Sequence, residues 1–407
     1  MPKFTLNGMS VEVPDGTTIL EAAKSVGVEI PHYCYHPKLS IAGSCRMCLV
    51  EVEKFPKLQT ACSTVVGEGM VVRTDTEKVR KAVTGVLELI LIHHPVDCPI
   101  CDQAGECGLQ NYYMKYGLHK SRYALEDKVH KKKVQDLGGM IVMDAERCIL
   151  CSRCIRFLRE VTRTGEMEFF NRGDHSEISI FPGRKLDNHY TGNLADICPV
   201  GALTNRDFRF RCRVWFLNSF ESICTGCANG CNVTADHRGD VLYRLKPRRN
   251  DAVNGCWMCD FGRVEYKKVN DGRLLVPVVR DGAGETEAAW ESVLNLAGLR
   301  LAEAAAKRGP ESVAVIASPQ SSNEELWLVR RLAREVIRTP HLAFSARTPG
   351  DGFGDDFLIK PDKNPNTKGA QLLGIEESRF DAVLAAAAEG KLAALLVFGN
   401  VLGALPD

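Results

Sequence analysis

The sequence predicts a multidomain α+β protein, and three observations lead to this prediction. The chain has 407 residues, which is enough for several domains, and 45% of them are hydrophobic, as in ordinary globular proteins. All 17 cysteines lie between Cys34 and Cys259, most of them in four groups. Beyond Cys259 the pattern changes to alternating helices and strands. We therefore expect small cysteine-bearing modules followed by an α/β segment.

Charge and hydropathy exclude several functions. The 52 basic and 51 acidic residues nearly cancel, so we expect no nucleic-acid partner. The first residues, "MPKFTLNGMS", lack the basic and then apolar order of a secretory signal. This predicts a reducing compartment, in which disulfides do not account for the cysteines. The most apolar run, "VLELILIHHP", is too short to span a bilayer and contains Glu88, so membrane association would come through a partner.

The first 78 residues predict a β-grasp module. "FTLNGMSVEV" indicates a hairpin with Asn7 and Gly8 as its turn, "ILEAAKSVG" a helix beginning near Thr17 and Thr18, and "CLVEVEKF" a later strand. The cysteines of this segment have the order of plant-type 2Fe-2S sites, with a longer first gap. Zinc also takes four thiolates, but the β-grasp setting favours a 2Fe-2S cluster. The predicted ligands are Cys34, Cys45, Cys48 and Cys62.

Residues 79–140 predict a second site with one histidine. A helix over 76–92 leads into "HHPVDCPICDQAGECGLQ", whose spacing is H-x3-C-x2-C-x5-C. Neutral imidazole can replace a thiolate at one corner of a 4Fe-4S cluster, and the lost negative charge makes reduction easier. Alternatively, His93 and His94 only end the helix, a role that Pro95 makes natural. The predicted 4Fe-4S ligands are His94, Cys98, Cys101 and Cys107.

Residues 141–216 resemble a two-cluster ferredoxin that has kept one cluster. "CILCSRCIRFLR" supplies the first three cysteines of one C-x2-C-x2-C-x3-C-P run, and "ICPVGAL" supplies the fourth cysteine of the other. In such ferredoxins the fourth cysteine of one run serves the other cluster, so the surviving set forms one complete 4Fe-4S site. The predicted ligands are Cys148, Cys151, Cys154 and Cys198; the lost positions are Leu158, Asn188, Thr191 and Leu194.

Residues 217–273 carry the fourth group. "CTGCANGC" provides Cys224, Cys227 and Cys231, and the distant fourth ligand is Cys256 or Cys259. The spacing suits a 4Fe-4S cluster, but the C-x2-C pair formed by Cys256 and Cys259 also suits zinc. Spacing alone leaves both interpretations open.

Two features remain outside these groups. Cys212 has no partner in any pattern, and we expect a buried structural thiol.

Residues 274–407 alternate between helices and strands, as in "NEELWLVRRLAREVI" and "KLAALLVFGN", and predict part of a doubly wound α/β domain. This segment stops soon after a strand, which indicates truncation or a short natural form.

The order of motifs resembles the large iron-sulfur subunit of NADH:quinone oxidoreductase, respiratory complex I. The resemblance covers residues 1 to about 340 and is carried by "SCRMCLVEV", "HHPVDCPICDQAGECGLQ", "RCILCSRCIRF", "ICPVGALT", "CTGCANGC" and "CDFGR". It implies that His94 is a ligand and that Cys259 completes the fourth group, which leaves Cys256 spare. It also implies one 2Fe-2S cluster, three 4Fe-4S clusters and a partial α/β domain similar to molybdopterin oxidoreductases, here without molybdenum.

The resemblance further implies an electron-transfer subunit with no catalytic residue of its own. Its expected partners are a flavoprotein subunit with FMN and the NADH site, other iron-sulfur subunits of the peripheral arm and, indirectly, the membrane arm. Electrons would pass toward quinone while the whole complex translocates protons. We expect a peripheral location on the cytoplasmic side of the inner membrane. The sequence has no Gly-rich dinucleotide fingerprint, so we expect no NAD site on this chain.

Three other functions agree less well with the sequence. The catalytic subunit of an NAD-linked formate dehydrogenase places a cysteine or selenocysteine on molybdenum after the cluster motifs, and no cysteine follows Cys259. It also usually keeps two complete ferredoxin-type sites. The diaphorase chain of a soluble hydrogenase usually stops before a fourth cysteine group. A scaffold held together by zinc would explain neither the histidine nor the paired losses in the third group.

Overall fold

The computed structural model describes residues 1–282, 284–345 and 352–399 and divides the chain into two compact units. Unit 1 is Met1–Ser219 with Asp236–Gly239, and unit 2 is Phe220–Ala235 with the chain from Asp240 onward. The segments predicted over 1–78, 79–140 and 141–216 all fall within unit 1. Residues 283, 346–351 and 400–407 of the predicted α/β segment lie outside the described residues.

A five-stranded mixed sheet with one helix forms the start of unit 1. Its strand order is β2-β1-β5-β3-β4, with β1 parallel to β5 and the other pairs antiparallel. Asn7 and Gly8 both have positive φ, 50° and 85°, as a two-residue hairpin turn requires. The elements are β1 (Lys3–Leu6), β2 (Met9–Glu12), α1 (Ile19–Ser25), β3 (Leu49–Val52), β4 (Gln59–Thr60) and β5 (Val71–Arg73).

The helix of this module forms where the sequence predicts it. The Thr18 hydroxyl accepts a hydrogen bond from the Glu21 N–H and caps α1. The buried face of α1, which includes Ile19 and Leu20, packs in one core with Phe4 and Val72 of the sheet. The predicted hairpin, helix and third strand are confirmed.

Two helices flank the loop of the second cysteine group. They are α2 (Glu77–Leu91) and α3 (Gly108–Tyr116). Thr76 caps α2, and Val79, Val83 and Leu87 form its buried face at intervals of four residues. This confirms the helix predicted over 76–92 and places its C-terminal end next to His94.

The rest of unit 1 consists of two small sheets and two helices around the third cysteine group. One sheet has the order β10-β7-β6, and β8 and β9 form a separate antiparallel pair. The elements are β6 (Gln135–Asp136), β7 (Ile141–Met143), α4 (Arg153–Glu160), β8 (Met167–Phe170), β9 (Glu177–Ile180), α5 (Asn193–Ile197) and β10 (Leu203–Asn205).

The fourth cysteine group lies between two strands and two short helices. Three strands form a sheet in the order β11-β12-β13. The chain passes between unit 1 and unit 2 within β11, within β12 and in the turn before β13. The elements are β11 (Asn218–Ile223), β12 (Asn232–Arg238), β13 (Val241–Pro247), α6 (Asp260–Val264) and α7 (Lys267–Asn270).

The remainder of unit 2 contains a small parallel sheet. Its order is β17-β16-β18, and β16 is buried at every position, as expected for a strand covered on both faces. The elements are β14 (Val278–Asp281), β15 (Gly284–Glu287), α8 (Trp290–Arg308), β16 (Val313–Ala317), α9 (Asn323–Arg331), β17 (His341–Phe344), α10 (Thr367–Leu372), α11 (Phe380–Ala388) and β18 (Ala394–Val397).

The predicted alternation of helices and strands is confirmed over these described ranges. Ser322 and Glu325 form a reciprocal capping box at the start of α9, and a π-helix over Leu332–Ile337 extends that helix. None of the helices in the described part of the chain combines the length and apolar character needed to cross a bilayer.

Candidate metal centres

The four cysteines of the first group meet in the loop between α1 and β3 and just after β4. The Cys34 thiol lies within hydrogen-bonding reach of Cys45 and Cys62, and Cys48 lies within reach of Cys62. Hydrogen bonds from Cys45 and Cys62 lower the pKa of Cys34, while proximity to Cys34 raises the pKa of Cys45 and of Cys62. The N–H groups of Ser44 and Cys45 also donate toward the Cys34 sulfur. These contacts assemble a compact thiol set that favours negative charge at Cys34.

The second group lines a single cavity between the end of α2 and the start of α3. All four predicted ligands border it: His94, Cys98, Cys101 and Cys107. Gly201, from the loop after α5, also lines this cavity; a Cβ there would come within 2.4 Å of the Cys101 sulfur, so this position requires glycine. The structure therefore brings His94 to the cysteines, although helix capping alone was an open alternative.

Burial keeps the His94 imidazole neutral. Burial lowers the pKa of His94 to about 4, although the negative charge of Asp97 acts to raise it. The Val96 N–H donates to Nδ1 of His94 at 3.2 Å, so the proton of the neutral ring lies on Nε2. In this tautomer the free lone pair lies on Nδ1. A metal bound through Nε2 would require the proton to move to Nδ1, and the hydrogen bond from the Val96 N–H would then be lost.

A lysine that the sequence did not single out holds the His94 backbone. Nζ of Lys128 donates to the carbonyl oxygens of Leu91 at 2.9 Å and His94 at 2.7 Å. These carbonyls lie at the C-terminal end of α2, where a cation is favourable. His93 points to a different partner, because its Nδ1 accepts the Val129 N–H at 3.2 Å.

A partly buried ion pair connects the second group to the third. The Arg147 guanidinium donates to both carboxylate oxygens of Asp97, at 3.1 and 2.6 Å, and pairs with Asp144 at 2.8 Å. Burial alone would raise the pKa of Asp97, but Arg147 outweighs it and the pKa is lowered. Asp97 precedes Cys98 and Arg147 precedes Cys148, so this pair fixes two ligand loops against each other.

The third group also lines one cavity, which is otherwise mostly apolar. Its four cysteines are Cys148, Cys151, Cys154 and Cys198, and the cavity is bordered as well by Met143, Arg153, Ile178 and Leu194. Leu150 and Ser152 have positive φ, 55° and 59°, and these turns direct three cysteines inward from one short segment. Burial raises the pKa of Cys148 and of Cys198 to about 12. Thiolates at these positions therefore need a bound cation.

The positions of the lost cluster are filled by packing. Leu158 and Leu194 are fully buried, and the Thr191 hydroxyl accepts the Met140 N–H at 3.0 Å. Asn188 donates to the Glu166 carboxylate at 2.8 Å. Apolar contacts and hydrogen bonds thus occupy the region that a second cluster would need.

The fourth group lies entirely in unit 2 and includes Cys259. A Cβ at Gly262 would lie 2.7 Å from the Cys224 sulfur and 3.5 Å from the Cys259 sulfur, so these two thiols face the same glycine. Charges at Cys259, Cys231 and Cys227 act on Cys224, and burial raises its pKa to about 12. The structure thus places Cys259 with the other three cysteines.

Donors also point at the sulfurs of this group. The Gly226 N–H lies 3.5 Å from Cys224, the Asn229 amide 3.0 Å from Cys231, and the Gly262 N–H 3.3 Å from Cys259. Such donors stabilise negative charge on sulfur.

Cys212 lies apart from the four groups. It is only half-buried, which corrects the expectation of a buried thiol, and its sulfur lies 3.5 Å from the Arg213 carbonyl oxygen. Among the described residues, no group of three or more His, Cys, Asp or Glu side chains is arranged to hold a single metal ion.

Four family models match the chain, and each covers one cysteine group. They are the 2Fe-2S iron-sulfur cluster binding domain over 2–77, the NADH-ubiquinone oxidoreductase-G iron-sulfur binding region over 84–122, the ferredoxin-like domain of NADH-quinone oxidoreductase subunit 3 over 138–204, and the NADH-ubiquinone oxidoreductase NDSU1/NuoG-like 4Fe-4S domain over 217–267.

Relatives from bacteria and eukaryotes resemble the chain over most of its length. The matching NADH-quinone oxidoreductase subunit from Rickettsia felis is 40% identical over 338 residues, which are 83% of this chain and 49% of the relative. The mitochondrial 78 kDa subunit of NADH-ubiquinone oxidoreductase from Candida albicans is 39% identical over 345 residues, 83% of this chain and 47% of the relative. The chain thus spans about half the length of these relatives.

A solved chain of an NAD+-reducing NiFe-hydrogenase in its H2-reduced state also matches. It is 29% identical with a TM-score of 0.47, and the match covers 52% of this chain and 91% of that one.

With a 2Fe-2S domain, several 4Fe-4S binding domains and the relatives from Rickettsia and Candida, the chain belongs to the family of the large iron-sulfur subunit of NADH-quinone oxidoreductase.

Proposed function

We propose that the chain is the electron-transfer subunit of NADH:quinone oxidoreductase. It relays electrons from NADH, through flavin on a partner subunit, toward quinone, and the whole complex couples this transfer to proton translocation. The observation that carries the proposal is the cavity lined by His94, Cys98, Cys101 and Cys107, which falls within the match over 84–122. A relay needs no substrate site of its own, in agreement with the missing dinucleotide fingerprint.

Sixteen side chains would hold one 2Fe-2S cluster and three 4Fe-4S clusters, without molybdenum. The buried thiols of Cys148, Cys198 and Cys224 fit this role, because burial raises their pKa values and a bound cation is then needed to stabilise the thiolate form. The assigned ligands are Cys34, Cys45, Cys48 and Cys62 for 2Fe-2S, and His94, Cys98, Cys101 and Cys107, then Cys148, Cys151, Cys154 and Cys198, then Cys224, Cys227, Cys231 and Cys259 for the 4Fe-4S clusters.

The protein's own contribution is to orient the ligands, exclude water and set the local charge. Iron-sulfur clusters supply the one-electron acceptors and donors of such a relay. Positive φ at Leu150 and Ser152 turns the third group inward, and the Arg147–Asp97 pair fixes the second and third ligand loops together. Backbone N–H groups and the Asn229 amide donate to ligand sulfurs, which eases reduction because they stabilise added negative charge.

We propose five domains, with the four cluster modules preceding a partial α/β domain. The modules span 1–78, 79–140, 141–216 and 217–273, and the α/β domain spans 274–407. The parallel sheet β17-β16-β18 with its helices supports similarity of the last domain to molybdopterin oxidoreductases. We propose that this domain binds no molybdenum.

The partners follow from the same role. They are a flavoprotein subunit with FMN and the NADH site, other iron-sulfur subunits of the peripheral arm, and the membrane arm indirectly. The near balance of 52 basic and 51 acidic residues supports attachment through protein partners rather than direct binding to anionic lipid. We propose a peripheral location on the cytoplasmic side of the inner membrane.

Reduction by NADH tests the proposed relay. The anaerobically purified chain is mixed with NADH, with and without the flavoprotein subunit of the same organism, and reduced clusters are followed by low-temperature EPR. We expect reduction only when the flavoprotein is present. Reduction by formate, together with stoichiometric molybdenum, would instead establish the dehydrogenase alternative.

A further inference from the structure

Tyr33 is a fully buried tyrosine whose hydroxyl has no hydrogen-bond partner within the described ranges. Its relative exposure is 0%, and its hydroxyl is one of five buried side-chain atoms without a partner in that part of the chain. A hydroxyl removed from water without a partner destabilises the fold, whereas phenylalanine would fill the same space without that cost. The hydroxyl therefore indicates an acceptor that is not an atom of the described residues.

The ring of Tyr33 lies between the first and second ligand groups. It belongs to one core cluster with Cys34, Cys45 and Cys107, and its Cε1 is 4.0 Å from the point where a Cβ on Gly108 would lie. Its edge meets Tyr112, with 5.5 Å between the ring centroids. A tyrosine hydroxyl carries its proton at neutral pH and is therefore available as a donor.

We propose that the Tyr33 O–H donates a hydrogen bond to an inorganic sulfide of a cluster held by Cys107 or by Cys45. The hydroxyl bonds to neither cysteine sulfur, so we assign the cluster's own sulfide, rather than a thiolate ligand, as its acceptor. A donor to a cluster sulfur stabilises the added electron and makes reduction easier. Tyr33 is thus a positioning residue that sets the potential of its cluster. This inference rests on the proposal that these cysteine groups bind clusters.

The Tyr33→Phe variant tests the inference, because it removes only the hydroxyl. Tyr112→Phe is the matched control: it removes a hydroxyl from the adjoining ring, and that hydroxyl already interacts with the His32 backbone. Both variants and the parent chain are purified anaerobically with their clusters, and iron content is measured. Stepwise reduction followed by low-temperature EPR then gives the potential of each cluster, and pulsed EPR in H2O and D2O detects exchangeable protons coupled to each.

We expect Tyr33→Phe to shift one cluster to lower potential and to remove one exchangeable proton coupling from that same cluster. The signal that shifts, 2Fe-2S or the histidine-ligated 4Fe-4S, identifies whether the acceptor is held by Cys45 or by Cys107. Tyr112→Phe should leave the potentials and couplings unchanged. Unchanged potentials and couplings in Tyr33→Phe would overturn the inference and indicate a buried water as the partner. Absence of both cluster signals in the parent chain would instead overturn the cluster-binding proposal itself.

Discussion

The Arg156 guanidinium donates a hydrogen bond to the backbone carbonyl oxygen of Cys34, which lies 122 positions earlier in the chain. The same nitrogen donates to the Cys151 carbonyl oxygen at 3.3 Å, and the other terminal nitrogen donates to the Ser40 carbonyl oxygen. One buried cation thus connects a ligand of the first group to a ligand of the third. Its charge acts on both sites in a region of low dielectric.

Arg156→Met should destabilise the fold and make both neighbouring clusters harder to reduce. Two or more charge-assisted hydrogen bonds are lost, so the free energy of unfolding should fall by about 3 kcal/mol. The lost positive charge should lower the potentials of the clusters at Cys34 and Cys151. Denaturant titration and EPR redox titration measure the two effects. Arg159→Met, on the same helix but with an exposed ion pair to Glu168, should cost at most about 1 kcal/mol and leave the potentials unchanged.

His94→Cys should change one cluster only. A thiolate in place of neutral imidazole adds a negative charge, so the potential of the 4Fe-4S cluster in this cavity should fall and its EPR spectrum should change. His93→Ala is the control, because the His93 ring bonds to Val129. Identical spectra for the parent and His94→Cys would remove His94 from the ligand set.

The metal-free folded chain, in which no iron binds the imidazole, should lose stability in mild acid through His94. The unfolded imidazole takes up its proton near its ordinary pKa of about 6.5, whereas the folded one does so only at about 4. Between these values the unfolded chain binds more protons, so the stability present above pH 6.5 is lost as the pH falls toward 4. The full difference between the two pKa values corresponds to about 3 kcal/mol in the free energy of unfolding. Urea unfolding of the parent and His94→Gln at several pH values should show this loss in the parent only.

Gly201→Ala should disrupt the second site. The added Cβ would lie 2.4 Å from the Cys101 sulfur, so the sulfur or the loop must move. We expect loss of the histidine-ligated cluster's EPR signal and a lower iron content, with the other signals retained. Gly85→Ala, inside α2 and with no atom within 4 Å of the new Cβ, should keep every signal. An intact signal in Gly201→Ala would contradict the close packing of Gly201 against the Cys101 sulfur.

The fourth group should depend on Cys259 and not on Cys256. Cys259 faces Cys224 across Gly262, so Cys259→Ser should abolish or strongly perturb one 4Fe-4S signal. Cys256→Ser should leave all signals in place. EPR and iron analysis of the two variants decide between the two cysteines, and the reverse result would exchange their roles.

Local signals in the sequence predict much of the fold. The Asn7–Gly8 turn, the helix that begins near Thr17 and Thr18 and the helix over 76–92 follow from residue type and spacing, and all lie where predicted. The third ligand group was predictable because complementary losses from two C-x2-C-x2-C runs leave one complete set, and its four cysteines line one cavity.

Long-range polar contacts could not be predicted. Arg156, the Arg147–Asp97 pair and Lys128 act across separations of 34 to 122 residues, and single basic residues carry no spacing that identifies their partners. Spacing also left Cys256 and Cys259 undecided, because the choice depends on the close packing of the Cys224 and Cys259 sulfurs around Gly262 of α6. Cys212 was expected inside a core and is half-buried, since no pattern in the sequence fixes its depth.

Metal analysis of the anaerobically purified chain tests the central claim most directly. Iron, acid-labile sulfide, zinc and molybdenum are measured per chain, followed by low-temperature EPR during stepwise reduction. We predict iron and sulfide in equal amounts, one 2Fe-2S signal, up to three distinct 4Fe-4S signals, and no molybdenum. Zinc in place of iron, without acid-labile sulfide, would contradict the account of this chain as an electron relay.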